Sequence, residues 1–182
     1  MPGKRRSVRL RNYDYTRQGA YYVTVCANDR KCVFGDVRDG EMVLNEYGEF
    51  ADKYWNEIPE HFPHITLDEH ITMPNHVHGI LIITGHVGAN NYSPLQNTEI
   101  SSASSIQRPR GTSKTIGSAI RGFKIGVTKR IRQNINMPNL WQRNYYEHII
   151  RNEDDLARIR EYIMKNPSKW GEDEYYLSLR ET

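Results

Sequence analysis

His76 and His78 stand one residue apart in the run Pro74-Asn75-His76-Val77-His78-Gly79-Ile80, where a short turn gives way to the apolar stretch 79–83. In a strand, alternate side chains share a face, so the two imidazoles project side by side from one sheet surface. Two adjacent imidazoles make half of a metal site. The spacing suits two ordinary histidines at the edge of a core as well: Ile80 and Ile82 continue their row, and Val77, Gly79, Leu81 and Ile83 fill the other. A second pair lies near the C-terminal end. Tyr162 and Asn166 are four residues apart in a segment of helical period, one above the other on the same helical face. A phenolic oxygen can attack phosphorus. An amide oxygen can ligate a metal. Alone, Tyr-x-x-x-Asn is commonly a structural tyrosine and a helix-end asparagine, so its chemistry depends on the histidines.

Both pairs need elements to hold them. Residues 20–26, rich in aromatic and β-branched side chains, read as a first strand. Residues 34–44 read as an irregular hairpin around Asp39-Gly40. Asn45 caps a helix to about residue 58, with Tyr47, Phe50, Ala51, Tyr54, Trp55 and Ile58 at helical spacing. Residues 65–73 and 76–84 form two strands joined tightly through Pro74-Asn75, hence an antiparallel pair. Residues 85–113 lose all periodicity and are expected to be a flexible polar loop. From Thr115, the stripe Ile116, Ala119, Ile120, Phe123, Val127 and Ile131 specifies an amphipathic helix. Residues 140–146 are a short, extended or irregular aromatic stretch. A last helix begins at Asn152 with acids in its first turn, buries Leu156, Ile159 and Ile163, and stops before Pro167.

With 182 residues, the chain suits one domain, 1–182, with a basic arm over about 1–18. Mean hydropathy is −0.76, and no apolar run approaches a membrane span. No secretory leader is visible. Cys26 and Cys32 are too few for a disulfide framework, so a cytoplasmic location is expected. Net charge is only +3, but it is segregated. Arg5, Arg6, Arg9 and Arg11 crowd the start without an acid, and Arg121, Lys124, Lys129 and Arg132 sit in an acid-free helix. Such clusters suit a polyanion. Tyr13, Tyr15, Trp141, Tyr145 and Tyr146 are candidates to stack unpaired bases, or to fill a core.

Four motifs occur in order: 73–80 around the histidines, Arg121-Gly-Phe-Lys124, Trp141-Gln-Arg143-Asn-Tyr-Tyr with the residues to 152, and Arg160-Glu-Tyr-Ile-Met-Lys-Asn-Pro167. Together they resemble the HUH single-tyrosine transposase superfamily, the insertion-sequence type, and its REP-associated branch above all, over roughly residues 8–170. The resemblance implies an α+β, ferredoxin-like (RRM-like) antiparallel sheet with helices packed on it. It implies a metal-dependent nuclease and strand transferase for single-stranded DNA hairpins. It matches Tyr162 to the nucleophile, His76 and His78 to the paired ligands, and Asn166 to the helical third ligand, where insertion-sequence relatives commonly have glutamine. Magnesium or manganese is the implied cofactor. Arg143 joins the basic residues above as a DNA-contact candidate. Either a monomer or a homodimer is compatible with the resemblance.

Rival readings fare worse. A histidine-triad hydrolase needs a third histidine where Ile80 stands, and no second His-x-Thr/Ser supports a two-histidine phosphoesterase. The alternative from another class is a domesticated, non-catalytic protein that binds structured single-stranded DNA through the same basic surfaces.

Overall fold

A computed structural model describes residues 17–84, 115–133 and 139–172. The basic arm with Arg5, Arg6, Arg9 and Arg11, the aromatics Tyr13 and Tyr15, and the 85–113 segment lie outside the described residues.

The chain runs β1 (Gly19–Cys26), β2 (Gly35–Arg38), β3 (Glu41–Leu44), α1 (Glu46–Asn56), a one-turn α2 (Ile58–His61), β4 (Ile65–Met73), β5 (His76–Ile83), α3 (Ile116–Ile131), β6 (Tyr146–Ile150) and α4 (Glu153–Lys165). A 3-10 turn, Pro167–Glu172, follows α4. Four strands form one sheet in the order β4-β5-β1-β6, every neighbouring pair antiparallel. With α1 between β1 and β4, and α3 between β5 and β6, this is the ferredoxin-like arrangement. β2 and β3 make the separate small hairpin expected around Asp39-Gly40.

Local chemistry accounts for the boundaries. Asn45 Oδ1 accepts from the backbone N–H of Tyr47 and of Gly48 and starts α1. Thr115 caps α3 and Asn152 caps α4 through the N–H of Asp155. β6 departs from the sequence reading, which assigned no strand to 146–150. The segment pairs only with β1, at the sheet edge, and of its five residues only Ile150 is buried, so the hydrophobic alternation that marks a strand is weak there.

Period-two alternation splits the sheet into two surfaces. Val23, Val25, Val77 and Leu81 face α1 and α3 in the main core, with Trp55, Ile120 and Phe123. Tyr22, Ile80 and Ile150 face the other way and pack with Ile159 and Ile163 of α4. Gly79 shows how tight the first surface is: a Cβ there would lie 2.2 Å from Cζ2 of Trp55. The indole thus seats against the back of β5, directly behind the histidine row.

Candidate active site

The turn before β5 fixes the first imidazole. The Pro74 carbonyl accepts from the N–H of Val33 (2.8 Å) and of Phe34 (2.9 Å), and the Asn75 carbonyl accepts from Ala27 N–H (2.8 Å). Asn75 Nδ2 donates to the Arg30 carbonyl at 3.0 Å, so its Oδ1 is the atom turned to His76 Nδ1, 2.7 Å away. An oxygen there can only accept. His76 therefore carries its proton on Nδ1 and its lone pair on Nε2, a buried atom.

His78 is held from β1. Its Nδ1 meets Tyr22 Oη at 2.8 Å and Thr24 Oγ1 at 2.9 Å, and Thr24 Oγ1 also donates to Tyr22 Oη at 3.2 Å. Both partners are hydroxyls, which donate or accept; in the tautomer that carries its proton on Nδ1, Nε2 keeps a lone pair. That nitrogen faces Tyr162, whose hydroxyl is 3.5 Å away, a contact rather than a strong hydrogen bond. The two imidazole centroids are 4.2 Å apart. Both side chains are completely shielded from solvent. Burial, and then the neighbouring His78, keeps His76 well below the usual imidazole range. Burial pushes His78 down to about 3. Both rings are thus neutral at physiological pH, the form that ligates metals.

α4 delivers the second pair. Ile159 and Ile163 seat the helix on the sheet, and Arg160 clamps it to β4 with two bonds to the Asp68 carboxylate, 2.7 and 2.6 Å. The Arg160 hydrogen bond holds Asp68 below the usual carboxylate range. Tyr162 is 43 % exposed and sits edge-on to Tyr22, with ring centroids 6.3 Å apart at 90°. Asn166, the C-cap of α4, keeps helical geometry (φ −58°, ψ −43°) and is buried, its Oδ1 included. Trp170, brought round by the turn after α4, lies 5.9 Å from the His76 ring.

The structure therefore brings Tyr162 to His78 and places His76 beside it. Among the described residues no third His, Cys, Asp or Glu completes a metal cluster with these two. Two neutral imidazoles and the buried amide oxygen of Asn166, at the end of the tyrosine's own helix, are the donor types that would suit a cation. Of the adjacent tyrosines, Tyr146 lies on the site surface and is 47 % exposed, its ring 6.2 Å from that of Tyr22. Tyr145 packs against the main core on the opposite surface.

The proposed DNA contacts are distributed differently. Arg121, Lys129 and Arg132 are exposed on α3, across the sheet from the histidines, and Arg143 is exposed before β6. Lys124 turns inward: its Nζ donates to the carbonyls of Gln142 (2.8 Å) and Asn144 (2.9 Å), and burial pushes its pKa down to about 8. Trp141 Nε1 returns a bond to the Lys124 carbonyl at 3.2 Å. Lys124 thus pins the segment leading into β6. The sequence reading did not single out Tyr22, Thr24, Asn75 or Trp170 for the site. For Tyr22 and Thr24 the available signal was their alternation on β1; for Trp170 there was none.

A ferredoxin-like domain with a paired imidazole row and a helix-borne tyrosine defines the class, and comparison with known proteins narrows it. No family model matches the chain. A Haemophilus influenzae protein described as "Uncharacterized protein" is 43% identical over 174 residues, 95% of this chain and 93% of that one. A second Haemophilus influenzae protein, described as "Putative REP-associated tyrosine transposase", is 28% identical over 165 residues, 89% of this chain and 78% of the relative. A solved REP-associated tyrosine transposase, bound to a REP hairpin, shares the fold with a TM-score of 0.59 at 20% identity, covering 90% of this chain and 74% of that one. The resemblance to REP-associated tyrosine transposases read from the four motifs is borne out. At 43% identity over nearly the full length of both, the chain belongs to the same family as the first of these relatives.

Proposed function

We propose that the protein is a metal-dependent, single-stranded DNA endonuclease and strand transferase that acts at hairpin, REP-like sequences through a 5′-phosphotyrosine. The observation that carries this reading is the meeting of a half-exposed phenol on α4 with a buried imidazole pair on β5, at 3.5 Å from Tyr162 Oη to His78 Nε2. The relatives described as REP-associated tyrosine transposases support the substrate class.

In the forward step Tyr162 Oη forms a bond to the scissile phosphorus and gives up its proton, while the P–O3′ bond breaks and O3′ takes up a proton. Attack by a 3′ hydroxyl reverses the exchange and rejoins strands. One phosphodiester replaces another, so no nucleotide cofactor is needed. His76, His78 and Asn166 would hold a manganese or magnesium ion, which would supply Lewis-acid polarisation of the phosphate; as neutral ligands they would leave the cation's charge largely uncancelled. Asn75 Oδ1 keeps the His76 proton on Nδ1, and Tyr22 and Thr24 orient the His78 ring. Tyr162, as the exposed member of the cluster, is the one a strand in solvent reaches first.

The test is incubation of the protein with labelled hairpin DNA and manganese. A covalent protein–DNA adduct that is lost in Tyr162→Phe and kept in Tyr146→Phe supports the reading. Tight binding with no adduct under either metal favours the non-catalytic DNA-binding protein instead.

A further inference from the structure

The sheet separates the basic surface of α3 from the histidines and Tyr162, so α3 cannot line the strand at the point of attack. The site surface has its own cations. A groove of about 600 Å³ runs between α4 and the turn 167–172, lined by Arg158, Lys165 and Lys169 with Tyr162 and Asn166; Glu161 and Glu172 complete it. The volume lies in the range of small-ligand sites, ~300–1,000 Å³. Arg158 and Lys165 are two helical turns apart, about 10 Å along the axis. Among the described residues Lys169 makes no ion pair. Lys165 is tied to Glu161, and Arg158 bonds Asp155 at 2.6 Å.

We propose that this groove holds the nucleotides flanking the scissile phosphate, with Lys169 and Lys165 on the phosphate oxygens. The inference rests on the reading above and deepens it: the strand approaches Tyr162 along α4, not along α3. Three observations converge on a nucleotide. Tyr162 itself lines the groove, so an occupant lies against the side chain that meets the substrate. The lining carries three cations against two carboxylates, and Lys169 stands in no ion pair among the described residues, so an ammonium is available to an anion. The cations lie along α4 and the turn beyond it, as in a positively charged groove that tracks a strand's backbone. The groove also contains its own brake. The Lys165 hydrogen bond, and more weakly Lys169, holds Glu161 below the usual carboxylate range, so an incoming phosphate competes with that carboxylate for the same ammonium groups.

The experiment measures binding alone, in a Tyr162→Phe background, with fluorescein-labelled oligothymidine at several salt concentrations. Lys165→Ala/Lys169→Ala is expected to weaken binding roughly tenfold and to flatten the slope of log affinity against log salt by about 1.4, the loss of two phosphate contacts on a single strand. Glu161→Gln is expected to tighten binding, because it releases Lys165; a merely structural role for the pair predicts no gain. Arg121→Ala/Lys129→Ala is expected to leave this probe within about twofold, since α3 packs on the opposite surface of the sheet and salt screens its charges. Unchanged affinity and slope in the lysine pair, or a loss confined to the α3 pair, overturns the proposal. Absence of an adduct in the hairpin assay refutes the catalytic reading alone, since the groove is judged on oligothymidine binding. Photocrosslinking of an iodouracil-substituted oligonucleotide guards against misfolded variants: label on the 158–169 peptide supports the groove, and label on α3 contradicts it.

Discussion

The two surfaces of the sheet are built by different rules. Behind it, α1 and α3 bury a continuous apolar layer in which Trp55 touches the backbone of β5 and stands edge-on to Phe123, centroids 5.3 Å apart. In front, α4 covers a smaller apolar patch that includes Tyr22, and beside it lie Thr24, His76 and His78, all buried; Tyr22 and Thr24 are joined to His78 through its Nδ1 and their hydroxyls, and His76 is held by Asn75. The back surface is specified by volume and the front by hydrogen-bond direction. The first holds the second rigid, because β5 contributes alternate residues to both.

Substitutions sharpen this contrast. The largest effect is expected from Phe123→Ala on the back: about 3–5 kcal/mol of stability lost to a cavity. Urea unfolding should show a lower midpoint with unchanged slope, and the molecules that remain folded should bind manganese as before. Gly79→Ala drives a methyl into the Trp55 ring and is expected to cost about 1–3 kcal/mol. A Gly79→Ala protein as stable as wild type would mean that the indole is not seated where we describe it.

The front surface should respond in the opposite way. Tyr22→Phe keeps the ring and removes one hydroxyl from His78, so folding stability should fall by only about 1 kcal/mol. Manganese affinity, read from metal-induced thermal stabilisation, should drop about 10–100-fold as the ring loses an orienting partner. The front surface also responds to pH. His78 has a folded-state pKa of about 3, below its value in the unfolded chain, about 6.5. Its contribution to stability is fully present above about pH 6.5 and is lost progressively as pH falls toward 3. Unfolding midpoints of the metal-free protein should follow that course, with buried His76 adding a loss of the same sign, and His78→Gln should make the profile shallower. A profile level between pH 7 and 4 would contradict the burial assigned to this ring.

Much of this was legible in the sequence, for identifiable reasons. β4, β5, α3 and α4 declare themselves by clean periods of two and 3.6 bounded by Pro74-Asn75, Thr115, Asn152 and Pro167. The histidine row and the Tyr162–Asn166 face follow from the same periods. β6 was hidden because an edge strand with only one buried residue carries little hydrophobic pattern. The partners of His78 were hidden for another reason: Tyr22 and Thr24 lie 56 and 54 residues away and meet it only through the β1–β5 register. Lys124 looked like part of a basic stripe, and only the carbonyls of Gln142 and Asn144 reveal that its ammonium is turned inward. Charge density along a sequence likewise says nothing of which side of a sheet a helix takes, and so α3 stood out while the cations of the α4 groove did not.

The central claim is that the Tyr162 hydroxyl is the nucleophile, brought to the imidazole pair by α4. The measurement that tests it most directly is peptide mapping by mass spectrometry of the covalent adduct formed with hairpin DNA in manganese. The account predicts a single phosphonucleotide-modified residue, Tyr162, and no adduct from Tyr162→Phe. Modification of Tyr146 instead, or an undiminished adduct in Tyr162→Phe, would contradict it.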